Sequence, residues 1–183
     1  MFDRLQRTLD DRRCDRALQA VAAGNLQALT VVYRCYGRMI CALAAQLVGG
    51  SDQAEDVLQE TMLQLARNAG SYRPGTNPRA WCLTVARNLA LDARRRTARE
   101  QPAELPDLLL APAQPDPLRR LELDEALSLL TEEERQLVFL KLHAGLTHAE
   151  IAAMLGLPPA GCERKYQRTI QKLRKMLSDS GEE

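Results

Sequence analysis

The amino-acid sequence predicts an all-α protein, built from two small helical domains joined by a proline-rich linker. Apolar residues recur at helical spacing along almost the whole chain, and the strict alternation typical of a half-buried strand is absent. Aromatic residues are only 4% of the composition, which also favours helices over sheets. A chain of 183 residues with 45% apolar content buries one good core or two small ones, and a break near its middle favours two.

Eight helices follow from this spacing. Their approximate ranges are 13–23, 26–48, 52–69, 78–98, 118–129, 132–144, 148–155 and 159–177. Glycines mark several helix ends, because Gly24 and the Gly49-Gly50 pair interrupt the first helices and Gly145 and Gly156 flank a short one. Two helices are predicted to begin with a capping box, in which a threonine is followed three residues later by a glutamate. These pairs are Thr131 with Glu134 and Thr147 with Glu150.

The break between the domains is the segment 101–117, which carries five prolines in seventeen residues. Such a segment does not sustain a helix and is predicted to be an extended linker. It separates a first domain over 1–100 from a second over 118–183. The run Leu108-Leu109-Leu110 is unusual for a solvated tether; it either packs on a surface of this chain or of a partner, or is a local apolar cluster with no partner.

Composition limits the class of protein further. The five cysteines are scattered and never form a CxxC pair, and neither histidine lies near a cysteine cluster, so reduced thiols are expected and no metal or other cofactor is predicted. No secretory signal and no apolar run near the length of a membrane span are recognised. We therefore expect a cytoplasmic protein without membrane insertion. No glycine-rich phosphate loop or nucleophile-base arrangement is found, so no enzyme is predicted.

Charge is balanced overall, with a formal net charge of +1, but it is segregated along the chain. Arginines crowd residues 87–99, basic residues crowd 164–175, and acids gather at 52–60 and 122–134. This pattern indicates that some faces meet a polyanion and others a different partner, although solvated helix faces explain any one cluster equally well.

Residues 146–177 have the pattern of a helix-turn-helix. A short helix with Ile151 and Ala152 inward is followed by a turn at Gly156 and a long basic helix with apolar positions such as Leu173 and Leu177. The second helix is predicted to present its first exposed residues to the major groove of DNA, where arginine pairs with guanine and glutamine with adenine. These residues are Gly161, Glu163, Arg164, Lys165, Gln167 and Arg168, followed by the phosphate-contacting Lys172, Arg174 and Lys175.

Three sequence runs occur in an order and spacing that cover nearly all of the chain. They read "AEDVLQE", "W…VARNLALD…RR" and "L…L…EER…G…AEIA…LGLP". In these runs the chain resembles the extracytoplasmic-function (ECF) sigma factors, which have only the second and fourth sigma domains. The resemblance implies a non-catalytic protein that binds core RNA polymerase through its β′ and β subunits, recognises minus-35 and minus-10 promoter DNA and promotes strand opening. It also implies an anti-sigma partner.

The resemblance assigns the acidic helix near residue 52 to a coiled coil of the β′ subunit. The core-polymerase-binding candidates share a polar face opposite Val57, Leu58, Met62 and Leu65. They are Glu55, Asp56, Gln59 and Glu60. Solvent exposure and favourable acid placement near a helix amino terminus remain the alternative explanation.

The resemblance assigns the following loop, 68–78, and the next helix to the minus-10 element, which is held as a single strand with one base flipped into a pocket. The minus-10 candidates are Tyr72, Arg73, Asn77, Arg79, Arg87, Asn88, Arg95 and Arg96. Trp81 is expected to be a core anchor with Val85 and Leu89 rather than a base-stacking residue. Asp92 is expected to pair with the neighbouring arginines.

The minus-35 candidates are the exposed residues of the second helix of the helix-turn-helix, from Gly161 to Lys172. Here the run Ala160-Gly161-Cys162-Glu163-Arg164-Lys165 departs from the family's Gly-Thr-Val-Lys-Ser-Arg. This departure implies a different minus-35 sequence or weaker DNA binding. The family's aromatic positions are also replaced, by Met62 and Ala66, which predicts different packing of the first core. The alternative function is a stand-alone helix-turn-helix transcriptional regulator, which needs the second domain but neither the acidic helix nor the loop.

Overall fold

The computed structural model describes residues 2–100 and 117–179, and it divides the chain into two compact units, Met1–Asp107 and Leu108–Glu183. All regular secondary structure in the described ranges is helical, which confirms the predicted all-α class. The Leu108-Leu109-Leu110 run and most of the proline-rich segment lie outside the described residues.

The first unit contains four long helices. They are α1 (Phe2–Ala22), α2 (Leu29–Val48), α3 (Ser51–Asn68) and α4 (Pro78–Glu100), with short 3₁₀ turns at Leu26–Ala28 and Ala69–Ser71. α2 is the central element, because α1, α3 and α4 all pack against it. Its buried side chains Tyr36, Ile40 and Leu43 form the middle of the core.

One apolar segment of this unit differs from the expectation that the chain has no apolar run near the length of a membrane span. The segment Leu26–Val48 has the length and composition of a membrane span, with a mean hydropathy of 1.2 in its most apolar window. It forms the core of the unit here, with 39% of that window buried by the other helices. Length and composition alone do not separate such a core helix from a membrane span.

Helix α1 is longer than predicted, because it begins at Phe2 rather than near residue 13. Its first half is strongly polar, and its leucines Leu5 and Leu9 are exposed, so this half has no buried stripe for an apolar pattern to reveal. Local bonds along the helix support it instead. Gln6 Nε2 donates to Asp10 Oδ1 at 3.0 Å, one turn away.

The second unit contains α5 (Pro117–Ser128), α6 (Glu132–Val138), α7 (His148–Leu155) and α8 (Pro159–Asp179). Both predicted capping boxes are confirmed, since the backbone N–H of Thr131 and that of Thr147 each donate to the paired glutamate at 2.8 Å. The predicted helix near 132–144 is confirmed to His143, but its last part, Phe139–His143, is a π-helical turn. There Ala144 N donates to Phe139 O at 3.0 Å.

The cysteines are free thiols, and Cys14, Cys82 and Cys162 are buried while Cys35 and Cys41 are half-buried. Burial raises the pKa of the three buried thiols above the ordinary value, so they stay protonated at neutral pH. Within the described ranges, no group of three or more metal-ligating side chains comes together.

Candidate nucleic-acid and polymerase interfaces

The turn between α7 and α8 has the geometry of a helix-turn-helix. α7 ends at Gly156, which adopts φ +68°, a conformation open to glycine at little cost. The N–H of Leu157 donates to Ala152 O at 2.8 Å and closes the turn. Ala152 itself is buried, and α7 packs against α8. The predicted short helix, glycine turn and long helix are therefore confirmed.

One face of α8 carries polar and basic side chains to the solvent. At 100° per residue its exposed positions fall together on the side opposite Cys162, Thr169 and Leu173, which are buried. The exposed side chains on this face are Glu163, Arg164, Gln167, Arg168, Gln171, Arg174 and Lys175. Among the described residues, none of the four cations in this set forms an ion pair, so this face, called the α8 basic face below, is available to a polyanion.

Two of the predicted DNA contacts lie elsewhere on α8. Lys165 forms an ion pair with Glu133, and Lys172 forms one with Glu134 at 3.2 Å while also donating to Leu129 O. Both ammonium groups therefore face α6 and hold α8 against it. The expected DNA contacts of Lys165 and Lys172 stay a prediction; in this structure the two lysines are half-buried, flank the buried side of the helical wheel and pair with acids of α6.

Two other positions on α8 differ from expectation. Gly161 is half-buried beside Pro158, with its N–H bonded to the Pro158 carbonyl at 2.9 Å, so it belongs to the turn as much as to the exposed face. Leu177 was expected on the apolar side but is 36% exposed. Leu177 therefore adds little apolar contact, although Met176 beside it packs against the core.

The loop before α4 is held from inside the first unit. Tyr72 is buried, and its hydroxyl donates to Asp15 Oδ1 at 2.7 Å. Arg79 is also buried, with Nη2 2.8 Å from Asp11 Oδ1. Both side chains are therefore engaged with carboxylates of α1 in this structure, and the expected DNA contacts of Tyr72 and Arg79 stay a prediction.

The remaining minus-10 candidates differ in exposure. Arg73, Asn88, Arg95 and Arg96 are exposed, whereas Arg87 is half-buried. Asn88, Arg95 and Arg96 fall within one third of the circumference of α4, so they form a continuous outer stripe. Asp92 lies on the same stripe and pairs with Arg95 at 3.3 Å, which confirms the predicted local partnership.

Asn77 acts on the backbone rather than presenting its amide to solvent. Its Oδ1 accepts hydrogen bonds from the N–H groups of Arg79 at 3.1 Å and Ala80 at 3.2 Å. These are unpaired donors in the first turn of α4, so Asn77 is the amino-terminal cap of the helix. The sequence offered this signal, because asparagine before proline at a helix start is a favoured capping arrangement.

Trp81 lies between the loop and the outer stripe of α4. Its ring is half-buried and packs against the ring of Tyr72, with centroids 5.3 Å apart and planes tilted by 52°. Val85 and Leu89 are half-buried as well, so the expected core anchor is an edge contact of the core. The tryptophan therefore supports the loop through Tyr72.

The acidic helix presents its candidates on two sides of its outer surface. Glu55 and Gln59 line a groove against α2 together with Arg34. Asp56 and Glu60 line a second groove, against α4. The predicted polar face is thus a broad ridge opposite the buried Val57 and Leu65.

The carboxylates on this ridge differ in their partners. Glu60 is half-buried and lies 3.6 Å from Arg67 Nη1, and it also accepts a bond from Gln64 Nε2. Glu55 and Asp56 are exposed, and within the described residues neither forms an ion pair. These two carboxylates are therefore the most available charges for a basic partner.

Asp15 is a carboxylate held by the loop before α4. The hydrogen bond from the Tyr72 hydroxyl, and then the one from the Gly75 N–H, hold the pKa of this carboxyl below its ordinary value. Burial, and then the bond to Asp15, raise the pKa of Tyr72 above its ordinary value. The pair therefore consists of a carboxylate and a neutral phenol at any physiological pH.

Comparison with known families matches both units. Sigma-70 region 2 matches residues 32–100, which include α3, the loop and α4. Sigma-70, region 4 matches residues 120–173, which include the helix-turn-helix. The two regions occur in the order that the sequence runs predicted.

Whole proteins of the same kind match most of the chain. The RNA polymerase sigma factor CarQ of Myxococcus xanthus is 34% identical over 74% of this chain and 80% of its own length. The ECF RNA polymerase sigma factor EcfG of Rhodopseudomonas palustris is 32% identical over 78% of this chain and 81% of its own.

Solved structures agree with these matches. The sigma factor RpoE of Bartonella quintana, in complex with the anti-sigma factor NepR, has 25% identity and a TM-score of 0.65, covering 77% of this chain and 91% of that one. CnrH, in complex with the cytosolic domain of CnrY, shares the fold with a TM-score of 0.67 at 22% identity, over 91% of this chain and 98% of that one. With both sigma regions in place and relatives matched over most of their length, the chain belongs to the ECF family of RNA polymerase sigma factors and recognises promoters.

Proposed function

We propose that the two domains divide promoter recognition between them. The first domain, 1–100, binds core RNA polymerase and the minus-10 element, and the second, 118–183, binds the minus-35 element, with 101–117 as the tether. The α8 basic face carries this assignment, since it combines exposed cations with a helix-turn-helix. The protein acts in the cytoplasm by reversible binding and has no catalytic step of its own.

At the minus-35 element, the first exposed turns of α8 enter the major groove. Arg164, Gln167 and Arg168 project from the α8 basic face, and their donor groups match the edges of guanine and adenine. Arg174 and Lys175 follow on the same face and neutralise phosphates. Glu163 lies at the edge of this face and accepts a hydrogen bond from the amino group of cytosine. This contact fits a minus-35 sequence that differs from the family's.

At the minus-10 element, the exposed stripe of α4 supplies the phosphate contacts. Asn88, Arg95 and Arg96 lie along this stripe, and Arg73 is exposed on the loop before α4. Arg87 lies at the flank of the helix. The arginines follow the backbone of a separated strand, while the loop holds a base away from its partner.

The outer ridge of α3 binds the basic coiled coil of the polymerase β′ subunit. Glu55, Asp56 and Gln59 are exposed there. Glu60 is already paired with Arg67, so it contributes less than Asp56 to a new ion pair. The β subunit is the second contact of the polymerase. An anti-sigma factor is a further partner, because the similar RpoE structure is a complex with the anti-sigma factor NepR.

The assignment is tested by reconstituting the full chain with core RNA polymerase and measuring initiation on linear duplex promoters. A promoter library screened by runoff transcription identifies the sequences used. We expect Arg168→Gln to change the preferred minus-35 bases and Arg95→Gln to weaken opening near minus-10. Binding to the duplex without polymerase, and no binding to core polymerase, would instead identify a stand-alone regulator.

A further inference from the structure

We propose that Asp15 and Asp11 of α1 are positioning residues for the promoter-reading loop, 72–77. The inference rests on the proposed function of that loop, and it adds a helix that has no assigned part in DNA recognition. The two carboxylates are one helical turn apart, so both project from the same side of α1. They fix the loop at its middle and at its junction with α4.

Asp15 holds the middle of the loop through a single oxygen. Its Oδ1 accepts from the Tyr72 hydroxyl at 2.7 Å and from the backbone N–H of Gly75 at 2.8 Å. The other oxygen accepts from Gln19 Nε2 at 2.9 Å, which fixes the orientation of the carboxylate from its own helix. Bonds to a charged acceptor are stronger than neutral ones, so this carboxylate is a firm anchor for a short loop.

Asp11 holds the other end. Its Oδ1 accepts from the Tyr36 hydroxyl at 2.6 Å and from Arg79 Nη2 at 2.8 Å. Arg79 is in the first turn of α4, and the same Nη2 also donates to the carbonyl of Arg7 at 3.1 Å. The buried guanidinium therefore joins the start of α4 to two turns of α1.

The bonds within the loop are local, and one of them joins the Tyr72 hydroxyl to the carbonyl of Thr76 at 3.3 Å. Thr76 Oγ1 donates to the carbonyl of Arg73 at 2.7 Å, and the N–H of Thr76 reaches the same carbonyl at 3.2 Å. Gly75 adopts φ +79°, which lets the chain reverse and turn its N–H toward Asp15. Because Arg73 and Thr76 are exposed on this turn, the position of their side chains depends on the anchor beneath them.

A cleft between α1 and the loop follows from this arrangement. It has a volume of about 520 Å³ and is lined by both carboxylates, Arg12, Arg16 and the turn at Gly75. Loss of the anchor would therefore change the width of this cleft as well as the placement of Arg73.

The anchor is tested by hydrogen exchange on the full chain. We expect Asp15→Ala to raise the exchange rate of the loop amides, with that of Gly75 rising roughly tenfold, the effect of losing one charge-assisted hydrogen bond. Asp15→Asn keeps an acceptor oxygen and is expected to restore part of the protection. Asp10→Ala is the matched control, because Asp10 bonds to Gln6 and Arg13 of α1 and to Cys35 of α2, and none of these partners belongs to the loop.

The consequence for DNA is tested with reconstituted polymerase and fork-junction DNA whose single-stranded minus-10 segment is randomised. We expect wild-type factor to select bases, and Asp15→Ala to reduce the preference at one position at least fivefold, with binding to core polymerase unchanged. If Asp15→Ala does not fold, Tyr72→Phe removes one bond to the same oxygen and is expected to weaken selection in the same direction.

The outcomes separate the inference from the proposed function. If Arg73→Ala and Thr76→Ala leave base selection unchanged, the loop does not read DNA and the proposed function of the loop is wrong. If those variants alter selection but Asp15→Ala and Tyr72→Phe do not, the loop reads DNA without this anchor and the inference is overturned. Unchanged exchange at Gly75 in Asp15→Ala overturns it as well.

Discussion

Lys172 of α8 donates a hydrogen bond to the carboxylate of Glu134 at the start of α6, with 3.2 Å between Nζ and Oε2. The same oxygen accepts from the backbone N–H of Thr131 at 2.8 Å and closes the capping box. One carboxylate thus caps a helix and binds a second helix. The lysine is therefore part of the packing of the second unit, although its position in the basic helix suggests a DNA contact.

The first prediction separates packing from DNA binding on α8. Lys172→Gln removes the charge that binds Glu134 and is expected to destabilise the second unit by about 0.5–1 kcal/mol, a small value because the pair is partly exposed. Arg174→Gln, at an exposed phosphate-contacting position of the α8 basic face, is expected to leave stability within about 0.5 kcal/mol and to lower the slope of log affinity against log salt by about one phosphate contact.

Hydrogen exchange of α6 and α8 measures the first effect, and the slope of log affinity against log salt measures the second. The two substitutions are matched controls for each other, since each removes one positive charge from α8. If Lys172→Gln lowers the slope of log affinity against log salt and leaves hydrogen exchange of α6 and α8 unchanged, then Lys172 contacts DNA and does not stabilise the second unit.

The second prediction concerns acid. The pKa of Asp15 is lowered in the folded state, so its stabilising contribution is fully present above the ordinary aspartate value of about 4 and is lost as the pH falls through that value and below. We expect wild type to be more stable than Asp15→Asn near pH 6, and the difference to shrink below pH 4. Fluorescence of Trp81, the single tryptophan, follows urea unfolding of the first unit. If wild type and Asp15→Asn differ in stability by the same amount at pH 3 and at pH 6, the negative charge of Asp15 does not stabilise the first unit.

The third prediction concerns the start of α7. Thr147 caps this helix through Oγ1, which accepts from the Glu150 N–H at 3.2 Å. Thr147→Ala is expected to destabilise the second unit by about 1 kcal/mol, and Thr147→Ser to restore most of it. Thermal unfolding gives the stability of the two variants, and hydrogen exchange in α7 shows whether the change lies in this helix. Equal stability of the alanine and serine variants would mean that the hydroxyl does not carry the cap.

Features that depend on neighbours along the chain could be predicted from the sequence. The capping boxes join residues three apart, and the turn at Gly156 needs only a glycine in the left-handed region. The two domains also followed from local signals, since prolines interrupt helices wherever they occur. The three sequence runs that resemble the ECF sigma factors also predicted the order of the two sigma regions.

Contacts between distant residues could not be predicted in this way. Tyr72 and Asp15 are 57 residues apart, and Arg79 and Asp11 are 68 apart, so no spacing rule joins them. From the sequence alone, a polar residue in a loop of a DNA-binding region is therefore predicted to contact DNA. Burial of such a residue depends on α1, whose polar first half shows no apolar pattern.

The orientation of the two lysines on α8, in contrast, could have been predicted, because their spacing in the sequence indicates it. Lys165 and Lys172 are seven residues apart and share a side of the helix. Cys162, Thr169 and Leu173 are buried, and the two lysines flank that buried side. A helical wheel centred on the apolar residues would have assigned both lysines to the interior edge, close to the acids at the start of α6.

The fourth prediction concerns the polymerase-binding ridge of α3. Asp56 is exposed and without an ion pair in the described residues, whereas Glu60 is paired with Arg67. Asp56→Lys is expected to weaken binding to core polymerase at least about tenfold, because it places a cation against a basic partner, and Glu60→Lys to weaken it less. Asp10→Lys makes the same charge change on α1 and serves as the control. Fluorescence anisotropy with labelled factor gives the affinities, and equal loss for Asp56→Lys and Asp10→Lys would show that net charge, rather than this ridge, determines binding.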